Sequence, residues 1–177
     1  MKQVAIVILN WNGVNWLEKF LPNLIENADN QEIYIADNAS TDNSVQFIKE
    51  NFKNVFIIQN NTNGGFAKGY NDALLTLEGK YKYYLIINSD IEVTPDFLAP
   101  LIETLEKNND VAGVQPKIKS QTDKTSFEYA GGAGGFIDSD YFPFCRGRIF
   151  DNLEKDNGQY DFPMQVFWTS GACMLIK

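Results

Sequence analysis

The chain has 177 residues, 44% of them hydrophobic, a formal net charge of −8 and no histidine. That length suits one well-buried domain, and the acidic balance argues against a nucleic-acid binder, which needs basic surface. Without histidine there is no Ser-His-Asp or Cys-His nucleophile system and no imidazole-held metal. Proton transfer falls to carboxylates, Lys, Tyr or Cys, and any metal to oxygen ligands, which points to Mg2+ or Mn2+.

No apolar run reaches the roughly 18 residues of a bilayer span. Met1-Lys2-Gln3 leads straight into an apolar strand without the features of a signal peptide. The expectation is a cytoplasmic chain with no transmembrane segment, working at the inner face of the membrane where it is part of a longer protein. Cys145 and Cys173 are expected to be buried free thiols.

In chain order, short runs rich in Val, Ile and Tyr at 4–9, 33–36, 55–58 and 83–87 read as strands covered on both faces of a parallel sheet. Between the first two, Trp16, Phe20 and Leu24 recur at helical spacing, with Pro22 expected to kink or crowd that helix. Ser40-Thr41-Asp42-Asn43 reads as the cap of a second helix carrying Val45, Phe47 and Ile48, and 66–77 as a third. Thr94-Pro95-Asp96 reads as the start of a fourth, continuing through Leu98, Leu101, Ile102 and Leu105. A fifth strand is expected at 111–118 and a last one at 171–176. Residues 120–163, rich in Gly, Asp, Ser and aromatics, read as loops and hairpins laid over the sheet. This alternation predicts an α/β fold: a doubly wound, mostly parallel sheet with helices on both faces.

In such sheets ligands sit at the carboxyl ends of the strands. Here those ends read Asn10-Trp11-Asn12-Gly13, Asp37-Asn38-Ala39-Ser40-Thr41-Asp42, Asn60-Asn61-Thr62-Asn63-Gly64-Gly65 and Asn88-Ser89-Asp90. One polar loop is ordinary turn chemistry; four on one sheet edge suggest a shared polar cleft. Neither a Walker loop nor a Rossmann dinucleotide fingerprint occurs at these positions. Gly65 and Gly69, four apart, are explained by close helix-to-sheet packing. Asp90, flanked by Asn88 and Glu92, has the chemistry to hold a hard dication, which could in turn engage a diphosphate. Spacing alone leaves that role and simple strand termination both open.

The segments VAIVILNWNG, IYIADNASTDNS, NNTNGGFAKGYNDAL, LIINSDIEVTPDFL and WTSGACMLIK together resemble the family 2 glycosyltransferases of GT-A fold. The rhamnosyltransferase-like bacterial branch is the best match, in order and spacing over essentially the whole chain. The resemblance implies a nucleotide site in which Asp37, with Asn38 beside it, meets the base. Asn10 and Asn12 lie by base and ribose, and Lys68 lies near base or phosphates or else faces solvent. It places Asn88-Ser89-Asp90 at a D-x-D position, with Asp90 as ligand to Mg2+ or Mn2+. Asn88 departs from the first Asp of that pattern, although an amide can still bond ribose or coordinate weakly. Trp168, Ser170 and Gly171 fall near donor sugar and acceptor, a core role for Trp168 being the alternative.

The implied reaction moves a sugar, with inversion, from a UDP-, dTDP- or GDP-linked donor to a hydroxyl of a glycan or lipid-linked acceptor. The setting is bacterial polysaccharide or cell-surface glycan synthesis, with a cation offsetting charge on the departing diphosphate. By resemblance the general base belongs to an acidic pair beyond Lys177, and no motif gives that role to Glu128, Asp138 or Asp140. Residues 1–118 then form the nucleotide-sugar half and 119–177 an incomplete acceptor-side half. The expectation is a truncated catalytic domain that binds donor but transfers poorly. Two other readings are a non-catalytic nucleotide-binding fragment and a nucleotidyltransferase on a related sheet. The latter's Gly-rich basic loop is missing after the first strand. A phosphate-accepting receiver would need acids where Asn10 and Asn12 stand.

Overall fold

The computed structural model describes residues 2–128 and 132–177. In chain order the first elements are β1 (Lys2–Asn10), α1 (Val14–Glu26), β2 (Glu32–Asp37), α2 (Ser44–Asn51), β3 (Val55–Gln59), α3 (Gly65–Leu77) and β4 (Tyr81–Asn88). They are followed by α4 (Ala99–Lys107), β5 (Gly113–Val114), β6 (Gly135–Ile137), β7 (Pro143–Cys145), β8 (Arg148–Ile149), β9 (Asn152–Leu153) and β10 (Cys173–Ile176). The main sheet runs β3-β2-β1-β4-β10-β5. β1 to β4 are mutually parallel, and β10 lies antiparallel to both β4 and β5.

The continuous apolar runs are explained by a core on each face of the sheet. Successive strand residues point to opposite faces, so Val4, Ile6 and Ile8 join one core with Leu17, Leu21 and Leu24 of α1, Ile48 of α2 and Leu98, Leu101 and Leu105. Ala5 and Val7 turn to the other face and meet Tyr70, Ala73 and Leu77 of α3. The predicted α/β architecture with helices on both faces is the one observed.

Three elements differ from the sequence reading. The fourth helix begins at Ala99, several residues after Thr94-Pro95-Asp96. The Asn23 side chain takes both backbone groups of Val93, N–H to Oδ1 at 2.8 Å and Nδ2 to O at 3.1 Å, which pins the chain against α1. Asp96 then turns with φ 58° before Pro100 enters the first helical turn. The fifth strand shrinks to Gly113–Val114, because Pro116 has no N–H to give and Gln115 Oε1 is drawn away to Ser170 N at 2.6 Å. The expected α2 cap does form, through Asp42, which takes Ser44 N–H at 3.0 Å, while Asn43 adds no side-chain bond. Pro22 is exposed within an α1 that runs unbroken to Glu26.

Residues 120–163 do form hairpins, with β6-β7-β8-β9 as a small antiparallel meander. Of the two free cysteines, Cys173 is buried as expected and Cys145 only half-buried.

Candidate active site

The parallel register brings the four polar strand ends to one edge: Asn10 lies opposite Asp37, and Leu9 opposite Asn88. Between β1 and β4 the tips are held by Tyr70 from α3. Its hydroxyl donates to Ile87 O at 3.0 Å and accepts from Leu9 N–H at 3.3 Å. Burial pushes this phenol well above its ordinary pKa, so it stays protonated and keeps both bonds.

The β1 and β2 loops fasten to each other. Asn10, buried, donates from Nδ2 to Asp37 Oδ1 and to Ser40 Oγ, each at 3.1 Å. Asp37, also buried, uses its other oxygen to cap Ser40 N–H at 3.1 Å. A carboxylate only accepts, so the Asn10 amide nitrogen must face it. That turns Oδ1 toward Gly13, where a Cβ would come within 2.6 Å. Asn10 Oδ1 is the one buried side-chain nitrogen or oxygen without a partner among the described residues. Asn12, with φ 51°, accepts from the N–H groups of Thr41 at 2.7 Å and Asp42 at 3.2 Å. Asp42 in return takes Val14 N–H at 3.2 Å, satisfying an orphan donor at the start of α1.

The β3 loop is locked in the same way. Asn38 Nδ2 reaches Asn63 Oδ1 at 2.7 Å and Gly65 O at 3.2 Å, while its Oδ1 accepts from Asn60 at 3.2 Å. Asn60 carries no signal of its own in the sequence beyond its polar loop; only strand alignment brings it to Asn38. Gly69 approaches so closely that a Cβ there would lie 2.7 Å from Leu9 Cδ1, as the packing argument requires. Gly65 instead has open space and φ 78°, so a left-handed backbone explains it, not packing.

The β4 tip is different. The side chains of half-buried Asn88 and Ser89 and exposed Asp90 make no hydrogen bond or ion pair among the described residues. Glu92, the neighbouring acid, is taken by Gln121 Nε2 at 2.7 Å and Lys124 Nζ at 3.2 Å, which hold its carboxyl below its ordinary pKa. No group of three or more His, Cys, Asp or Glu forms among the described residues. Asp90 thus offers a single carboxylate. That fits a dication shared with a phosphorylated ligand and water, the usual mode for Mg2+, and not an all-protein cage.

Lys68 is exposed on α3 and pairs with Asp72 at 2.6 Å. The Trp168 ring packs on Gly135 and donates from Nε1 to Phe136 O at 3.1 Å, a structural post for the small sheet. Ser170 is buried, and Gly171 sits against the Phe66 ring at the head of α3, beside the β4 tip that Ala172 O bonds through Asn88 N–H at 2.9 Å. Burial pushes the Cys173 thiol up to about 12, so it is no nucleophile near neutral pH.

Residues 5–167 match the sequence profile of glycosyl transferase family 2. The chain belongs to that family. Among solved structures, this family 2 chain is similar to the mannosyltransferase PcManGT from Pyrobaculum calidifontis in complex with GDP-Man and Mn2+. The identity is 22% and the TM-score 0.58, over 66% of this chain and 36% of that one. It is also similar to Staphylococcus aureus TarS 1-349, at 20% identity and TM-score 0.58, over 68% and 37% of the two chains. The same TarS segment in complex with UDP-GlcNAc matches at 22% and 0.56, over 66% and 34%. These are likenesses of fold, and the family 2 chain spans little more than a third of the length of these structures. No curated protein gives a significant match.

Proposed function

We propose that this family 2 chain carries the donor site of a sugar transferase of the rhamnosyltransferase-like bacterial branch, serving polysaccharide or cell-surface glycan synthesis. A UDP-, dTDP- or GDP-linked sugar binds across the tips of β1, β2 and β4. The base and ribose lie over the loops that buried Asn10, Asp37 and Asn38 hold in place, with exposed Asn12 facing them, and the diphosphate lies toward Asn88-Ser89-Asp90. Mg2+ or Mn2+ bound there would offset charge on the diphosphate as it leaves. Asp90 holds that cation and Asn88 bonds the ribose or the cation. The Trp168, Ser170 and Gly171 segment borders the side from which a glycan or lipid-linked hydroxyl approaches. Transfer proceeds with inversion, as the resemblance to the family 2 glycosyltransferases implies. No acid of the chain is assigned as general base.

The observation that carries this reading is the contrast along the rim. Three loops are bonded to one another, while the β4 turn, with its carboxylate, is left with free acceptors in a protein of net charge −8. Such a protein needs a cation to receive a diphosphate. The fold likenesses to PcManGT in complex with GDP-Man and Mn2+ and to TarS in complex with UDP-GlcNAc favour the same ligand class.

The test is thermal unfolding with UDP, dTDP and GDP, each with and without Mn2+, on the chain and on Asp90→Ala. A nucleotide at about a hundred times its dissociation constant adds about 2.7 kcal/mol. One nucleotide should raise the midpoint in a Mn2+-dependent way, and Asp90→Ala should lose the Mn2+-dependent part. An equal response in the variant removes Asp90 from the cation role. Silence toward all three nucleotides overturns the donor-site reading.

A further inference from the structure

The small sheet bears a surface that the donor site does not use. Ile137 pairs with Pro143 and Ile149 with Asn152, so the β6–β7 turn (138–142) and the β8–β9 turn (150–151) lie at the same end of the meander. The opposite end is the attached one. There Gly135 lies on Trp168, Gly147 lies on Phe127, and Arg146 N–H bonds Gly134 O at 2.9 Å. The two turns therefore project from the body, and they carry Tyr141, Phe142 and Phe150 at 85%, 69% and 89% exposure.

Two of these rings stand on left-handed backbone, Tyr141 at φ 67° and Phe150 at φ 51°. Glycine or asparagine suits that region, and bulky side chains are outliers in it. A large ring at such a position is unfavourable for the backbone, and its exposure to water wins nothing back. Neither ring serves the fold, and both turns repeat the arrangement, which points to contact with something outside the chain.

We propose that this tip binds a neutral, hydroxyl-rich glycan, the acceptor chain of the transfer proposed above, on which this inference rests. Flat rings receive the apolar C–H face of a sugar, and carboxylates accept its hydroxyls. Asp140 and Asp151, beside the rings, have side chains free of partners among the described residues. Asp138 uses Oδ1 to hold its own turn, from Asp140 and Phe142 N–H at 2.9 Å each. Arg148, whose Nε bonds Phe150 O at 2.8 Å, offsets one of these three acids; the remaining negative charge disfavours an anionic lipid surface. Two adjacent hairpins place their turns roughly 10 Å apart, room for more than one sugar unit. The sheet also leaves the body at the acceptor side of the strand tips: Gly135 is bridged to Trp168, which leads within three residues to Gly171 against Phe66.

The test uses Tyr141→Gly and Phe150→Gly, singly and together, because glycine removes the ring and relaxes the backbone at once. The thermal midpoint should stay or rise. The probes are an array of neutral and acidic glycans, and vesicles of phosphatidylethanolamine with phosphatidylglycerol. The parent chain should bind neutral glycans, and the double variant should lose about tenfold in affinity with its nucleotide and Mn2+ response unchanged. Absence of any neutral-glycan binding by the parent, glycan binding equal in the variants, or ring-dependent binding to vesicles in its place overturns the proposal. The nucleotide response separates the two readings. A normal response with ring-independent glycan binding defeats the tip alone. Ring-dependent glycan binding with no nucleotide response keeps the tip and defeats the donor site.

Discussion

Asp42 joins the first two loops of the rim to the start of α1, and its environment can be read as a titration. Partial burial pushes its carboxyl up, but the hydrogen bonds from Ser44 Oγ, Ser44 N–H and Val14 N–H outweigh this and hold it below its ordinary value. A depressed folded pKa means that the carboxylate's contribution is complete above the unfolded value of about 3.9 and is lost as pH falls through the lower folded one. Asp42→Asn should therefore cost about 1 kcal/mol at neutral pH, the usual loss of a cap, and flatten the acid limb of stability below about pH 4. Urea denaturation between pH 7 and pH 2 measures both, and an acid limb as steep as the parent's would contradict the assignment. At this scale the sequence was half legible. It marked Asn10, Asn12, Asp37, Asn38 and Asp90 as strand-end polar groups. It could not say which of them bind one another, because the partners lie from 22 to 30 residues away and meet only when parallel strands align. Asn88 and Asp90 stand out only once their neighbours are seen to be occupied.

Among the elements, α3 is the one whose position depends on a missing side chain. Gly69 lets it settle on Leu9 and on the Asn38 amide, so that Tyr70 one residue later reaches between β1 and β4. Gly69→Ala must push Leu9 or the helix aside, an overpacking that should cost about 1–3 kcal/mol, and should also loosen the Tyr70 bridge. The lowered midpoint, and a downfield-to-upfield change at the Leu9 amide in NMR spectra, would register it. A fully stable variant would show the contact to be slack. The strands and the three earlier helices were legible because hydrophobic period is local. The start of α4 and the length of β5 were not, because each is decided by a distant side chain: Asn23 on Val93 for the helix, and Ser170 N–H on Gln115 for the strand. Thr94-Pro95-Asp96 has good local chemistry for a helix start and loses to tertiary contact.

At the scale of the whole molecule, the segment after β9 is tied to the segment after β5 by an ion-pair cluster. Asp156, its side chain 4% exposed, takes Lys119 Nζ at 2.7 Å and Lys117 Nζ at 2.9 Å, and these partners, Lys119 first, hold its carboxyl far below the usual range. Its share of the attachment is thus kept until strongly acidic pH. Asp156→Asn should free the hairpins while the parallel sheet stands. Limited proteolysis should then cut faster within 138–155, with the main unfolding transition little moved. Unchanged cleavage there would show that Trp168 and Phe127 suffice as anchors. The composition foresaw hairpins in this region but not their attachment, since Lys117 and Asp156 stand 39 residues apart with no pattern linking them.

The strand order β4-β10-β5 also constrains how the chain assembles. Among the described residues β5 has no neighbour in the sheet except β10, which is made about sixty residues later. During synthesis the four parallel strands can collapse with α1 to α3 on local crossovers, while β5 and the β4 edge stay unpaired. Closing that gap is a long-range event of the kind that sets slow phases and exposes aggregation-prone edges. Refolding should accordingly be biphasic, with the β1–β4 nucleus forming ahead of the insertion of residues 173–176.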